Sequence, residues 1–67
     1  MNKTLVKRWQ SQKGKHWLEL HKDDMGYTFD GNGWGGNLGS VTYDEAIESM
    51  NQKIAILAND GYRLKEI

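Results

Sequence analysis

Between Tyr43 and Gly61 the apolar residues recur at helical spacing; elsewhere they alternate with polar ones. At about 100° per residue, Tyr43, Ala46, Ile47, Met50, Ile54, Leu57 and Ala58 fall on one side of a helix. Glu45, Glu48, Ser49, Gln52 and Asn59 fall on or near the other side. Ile56 alone breaks the pattern and points outward beside Ser49 and Gln52. The ends are marked too. Thr42 and Glu45 have capping-box spacing, in which each side chain satisfies the other residue's backbone amide. Asp44 and Glu45 put negative charge at the positive end of the helix dipole. Gly61 supplies the left-handed residue that ends many helices, with Tyr62 free to fold back on the last turn. The spacing predicts a helix over 43–60.

Upstream, Thr4 to Gln12 and His16 to Lys22 read as two strands of a hairpin around Lys13-Gly14. A two-residue loop sets Trp9 against Leu18, Lys7 against Leu20 and Arg8 against Glu19. Leu5, Trp9, Leu18 and Leu20 then share one face, and Val6, Arg8, Gln10, Trp17, Glu19 and His21 the other. A slip of one residue would swap the faces of one strand. The opposite charges of Arg8 and Glu19 favour the stated register. Asp23 to Gly26 is the next turn, leading into a strand whose Tyr27 and Phe29 join Leu18 and Leu20 beneath the helix.

Gly31 to Gly39 holds five glycines in nine residues and has little intrinsic preference for helix or strand. Either it is a mobile loop, or Asp30-Gly31 or Asn32-Gly33 closes a tight hairpin and Trp34 to Leu38 forms a short, irregular strand. Tyr62 to Ile67 is a strand-like tail with Tyr62 and Leu64 on one face. It suits a sheet edge or donation to a neighbouring molecule. The order β-β-β-(β)-α-β defines a small two-layer α+β domain: an antiparallel sheet of three to five strands with one helix on one face. Residues 1–67 form a single domain without internal repeats or proline.

Size sharpens this picture. A 67-residue chain buries only about 60% of its unfolded surface, so its margin of stability is a few kcal/mol. With no cysteine it has neither a disulfide framework nor a thiolate zinc site. Self-association is one remaining source of stability. The N-terminus lacks the apolar run of a signal peptide, and no stretch approaches the roughly 18 apolar residues that span a bilayer. The expectation is a soluble, cytoplasmic protein that does not engage membranes. Net charge is zero, yet residues 1–22 carry six Lys/Arg against one Glu (+5), and residues 23–67 carry three against eight Asp/Glu (−5).

The candidate chemical motifs fail on context. Gly31-x-Gly33-x-x-Gly36 matches a dinucleotide-binding string, but a phosphate cradle needs the helix to start at the glycines. Here it starts at Thr42, with Asp44 and Glu45 repelling phosphate. Asp30-x-Asn32-x-Trp34 opens like a calcium loop but places Trp34 and Val41 where oxygen ligands belong. His16 and His21, five apart, project from opposite faces of a strand and cannot chelate together. Ser11, Ser40 and Ser49 lack the context of an activated nucleophile. No catalytic residue, metal or cofactor is expected.

What remains is binding. Lys3, Lys7, Arg8, Lys13, Lys15 and Lys22, with His16 and His21, surround Trp17 on a face the helix cannot cover. Cations there can track phosphates while Trp17 stacks on a base. The same residues also serve to blunt exposed strands against aggregation, and zero net charge gives no long-range attraction to nucleic acid. Alternatively, the basic hairpin of one copy meets the acidic helix of another, with Trp17, Trp34 or Ile56 as an apolar anchor.

Two segments carry a family likeness. Lys15-His16-Trp17-Leu18-Glu19-Leu20, then Leu38-Gly39-Ser40-Val41-Thr42 ahead of Glu45-Ala46, resemble the three-strand-plus-helix DNA-binding domains of the AP2 type and the arm-binding domains of phage-type integrases. In those families a Leu-Gly pair often ends a strand and a Glu-Ala pair opens the helix. The likeness spans about half the chain. This sequence lacks the dense arginine and aromatic content of those sheets and inserts the glycine run, so the resemblance implies topology alone. The leading reading is a non-enzymatic binding module for a protein partner or a second copy, with Lys7, Arg8, Trp17, His21, Trp34 and Ile56 as candidate contact residues. The second is a nucleic-acid-binding protein using hairpin 3–22 and Trp17.

Overall fold

Arg8 and Glu19 face each other across the first two strands, and that register organises the sheet. In the computed structural model, which describes residues 3–67, β1 (Thr4–Gln10) pairs antiparallel with β2 (Trp17–Asp23), setting Lys7 against Leu20 and Trp9 against Leu18. β3 (Gly26–Gly31) and β4 (Gly35–Gly39) follow, then helix α1 (Tyr43–Asn59) and β5 (Lys65–Glu66). All pairings are antiparallel, in the order β4-β3-β2-β1-β5. The C-terminal tail therefore completes its own sheet: Trp9 pairs with Glu66, and the Ile67 amide donates to the Arg8 carbonyl (3.0 Å). The result is a small α+β domain with one helix.

The turns follow from their residues. The Asp23 side chain accepts from the Met25 amide (2.8 Å), starting the β2–β3 turn. Gly26 ends it at φ 129°, where a Cβ would lie 2.2 Å from the Gly39 carbonyl oxygen, so only glycine fits. Asn32-Gly33 closes the β3–β4 hairpin, with the Gly31 amide donating to the Trp34 carbonyl (2.8 Å). The glycine run is thus a hairpin and its second strand, with a register shift at Leu38.

Both helix ends carry the expected caps. Glu45 N–H donates to Thr42 Oγ1 (3.1 Å), and Thr42 N–H donates to Glu45 Oε1 (2.9 Å). At the other end Tyr62 N–H reaches Leu57 C=O (2.8 Å) and Gly61 N–H reaches Ala58 C=O (3.1 Å), the paired bonds of a Schellman cap. Trp9, Leu18, Leu20, Tyr27, Ala46, Met50 and Leu64 form the buried core, with Val6, Phe29, Ile47, Ile54 and Leu57 packed around it.

Three expected core positions lie elsewhere. A bulge between Leu5 and Lys7 adds one residue to β1, so Val6 turns in toward the core and Leu5 emerges 51% exposed, level with His21. Tyr43 has the right helical angle but is the first residue of α1 and stays half-exposed. Ala58 lies about 80° round the helix from Met50 and is exposed, while Lys53 on the other margin is half-buried with its ammonium 4.9 Å from the Phe29 ring centre.

Thr42→Ala removes the cap and is expected to lower unfolding free energy by about 1 kcal/mol. Gly26→Ala, which meets both a left-handed backbone and a carbonyl oxygen, is expected to cost more than about 2 kcal/mol. Urea denaturation of each variant measures both.

Candidate functional site

The sheet face opposite the helix carries a small polar network rather than a free basic surface. The Arg8 guanidinium pairs with Glu19 Oε2, donates through Nε to Gln10 (3.2 Å), and lies 5.0 Å from the Trp17 ring centre. His21 Nε2–H donates to Glu19 Oε1 (2.9 Å). Both Glu19 oxygens are thus engaged. Desolvation pushes its carboxyl upward, but the hydrogen bonds from His21 and Arg8, with their charges, outweigh that. Its pKa is held below the ordinary 4.5. Glu19 also faces Asp30 on β3. Trp17 is half-buried under Arg8, rather than the fully exposed stacking platform the sequence suggests. His21 Nδ1 and, on the paired residue, Thr28 Oγ1 are shielded from solvent without a partner among the described residues.

Lys7 is not part of this network. Its side chain reaches Glu66 on β5 (Nζ–Oε2 2.6 Å), and that hydrogen bond is the main reason its pKa is raised. The candidate cations Lys7 and Arg8 therefore each hold a carboxylate from another strand.

Trp34 and Ile56 come together on the helix side. They line an apolar cleft of about 130 Å³ with Leu18, Phe29, Lys53 and Leu57. Ile56 is 62% exposed at its rim. Trp34 is half-buried, packed edge-on against Tyr62 with ring centres 5.4 Å apart. Gly36 of β4 pairs with Phe29 and lets the Phe29 ring lie against the β4 backbone, since a Cβ at Gly36 would be 2.8 Å from the ring. β4 itself is an edge strand of sequence Gly-Gly-Asn-Leu-Gly, without charge or proline.

The sequence singles out Trp34 and Ile56 separately but does not join them to Phe29 and Lys53. Among the described residues no cluster of three or more His, Asp or Glu side chains is arranged to hold a metal, and no helix is long and apolar enough to cross a membrane. No protein family, curated protein or solved structure matches the chain.

Glu19 and the capping Glu45 both titrate below the ordinary value, Glu45 because of its hydrogen bond from the Thr42 amide. A depressed carboxylate pKa stabilises the fold above the unfolded-state pKa, and that contribution is lost as pH falls through the folded value. Urea titrations from about pH 6 to about pH 2.5 should show stability falling below about pH 4.5. Glu19→Gln should be less stable near neutrality and fall less steeply on acidification.

Proposed function

We propose that the chain is a non-enzymatic protein-binding module whose contact surface is the β4 edge together with the adjoining cleft. The observation that carries this reading is that Trp34 and Ile56, distant in sequence, line one apolar cleft beside an uncharged edge strand. Edge strands present unpaired amides and carbonyls, and proteins that keep them free of partners use lysine, proline or short length to do so. β4 has five residues and none of those guards, although its shift at Leu38 interrupts the ladder. An extended segment paired along β4 would gain backbone hydrogen bonds and could seat one apolar side chain in the cleft.

A second copy of the chain meets these requirements. Antiparallel pairing of β4 with its counterpart has a two-fold axis perpendicular to the sheet. It would join two sheets with both helices on one side and the two clefts flanking the seam. The engagement of Lys7 by Glu66 and of Arg8 by Glu19 supports a protein partner over a phosphate backbone at the positions first singled out.

Sedimentation of the full chain over a wide concentration range tests this reading. The expected result is a reversible dimer, weakened at least about tenfold by Ile56→Asp in the cleft or Asn37→Lys on the edge. Lys13→Gln, remote from this surface, should leave it unchanged. A monomer at the highest concentrations, or a dimer indifferent to both variants, would exclude this surface.

A further inference from the structure

Two first-hairpin cations without an ion pair among the described residues lie at one end of the domain, while Lys22, also without one, lines a separate concavity beside Asp23 and Asp24. Lys13 and Lys15, in the β1–β2 loop, line a concavity of about 300 Å³ with Arg63, which follows the helix. A second concavity of about 600 Å³ adjoins it, sharing Ser11, Gln12 and Arg63 and adding Lys65. None of these four cations is in an ion pair among the described residues. The one acidic side chain on either wall, Glu66, is held by Lys7. This convergence follows from topology. β5 lies antiparallel to β1 with Lys65 opposite Gln10, which brings the C-terminal cations beside the hairpin loop.

The frame behind these side chains is pinned. Ser11 and His16 close the loop through Ser11 N–H to His16 C=O (2.8 Å) and His16 N–H to Ser11 Oγ (3.1 Å). Asn32, from the β3–β4 turn, accepts from the Trp17 amide and donates to the Lys15 carbonyl, each at 2.8 Å. On the opposite wall, the Schellman cap fixes Gly61 and Tyr62. The rings of His16 and Tyr62, 4.8 Å apart and edge to face, supply an aromatic wall beside the charges.

We propose that this end of the domain binds a nucleoside phosphate, either free or at the end of a single strand. Lys13, Lys15, Arg63 and Lys65 take the phosphate, and the His16–Tyr62 wall takes the base. Free phosphate or a carboxylate would use the cations but not the rings. A nucleoside phosphate uses both, and a concavity of about 300 Å³ is at the lower end of the size of small-molecule sites. The cations lie away from the β4 edge, although Tyr62 also packs on Trp34 of the cleft, so variants at Lys13 and Arg63 distinguish this inference from the protein-binding reading.

The test is a titration of the full chain, followed by backbone amide chemical shifts, with ADP, a short oligothymidylate, pyrophosphate and polyglutamate. The expected result is perturbation at 11–16 and 61–67 by ADP or by the oligonucleotide. Their relative affinities identify the source of the nucleoside phosphate. For the oligonucleotide, log K should fall with log salt at a slope of about −0.7 for each phosphate that the cations neutralise. Lys13→Gln combined with Arg63→Gln, both at surface positions, should weaken binding at least about tenfold while leaving sedimentation unchanged. Tyr62→Leu should weaken ADP but not pyrophosphate. No perturbation by either nucleoside phosphate at millimolar concentration and low salt would overturn the proposal. So would polyglutamate binding as tightly as the oligonucleotide, which would make the site a receptor for acidic peptide.

Discussion

A single helix has to cover one face of a five-stranded sheet, and the rest of the molecule is shaped by that constraint. Leu20, Ala46 and Met50 are fully buried where α1 crosses the sheet. Ala46 lets the backbones approach closely, and Met50 fills the irregular space between strands. Away from this line, burial falls quickly. Leu64 is drawn in only because the two-residue β5 docks on β1, and the same docking makes β1 an interior strand and helps bury Trp9. In so small a domain, with a stability margin of a few kcal/mol, a short tail strand contributes core residues as well as hydrogen bonds.

β4 is where local preference and global fold disagree most. Three of its five residues are glycine, which weakens a strand through backbone entropy and leaves nothing to pack. Its pairing with β3 is nonetheless formed. Any side chain at Gly36 would collide with the Phe29 ring, so glycine is what lets the ring pack on β4.

The helix was legible almost residue by residue, because caps and period reinforce one another and both are local. Thr42, Glu45 and Gly61 hold the roles their types imply. The hairpin register from Lys7 to Gln10 was legible through the Arg8–Glu19 pair, although residues 11–16 join the strands rather than the two-residue loop Lys13-Gly14. The bulge at Val6 was not. Leu5 and Val6 are both apolar and β-compatible, so alternation cannot say which faces the core. The site was legible only in pieces. Trp34 and Ile56 stood out singly, but their meeting depends on the β3–β4 register. Arg63 and Lys65 drew no attention because nothing local joins them to Lys13 and Lys15; only the pairing of β5 with β1 does.

The charge pattern is also read differently once folded. Zero net charge argues against long-range attraction for a molecule seen as a point, but this molecule is 33 Å long. Asp44 and Glu45 sit at the amino end of a 17-residue helix, whose carboxyl end lies beside Lys13, Lys15 and Arg63. At about 1.5 Å per residue those ends are about 25 Å apart, whereas charges are screened over about 8 Å at physiological salt. An anion approaching the basic end therefore responds to the nearby cations and hardly to the distant carboxylates. Among the nearby carboxylates, Asp60, next to Gly61 in the concavity wall, is in no ion pair among the described residues, whereas Glu19 and Glu66 are each engaged by a cation of β1. Those pairs take the cations that sequence made conspicuous and leave a different set free. Local charge at the hairpin end, rather than the sum over the chain, governs which ligands that surface attracts.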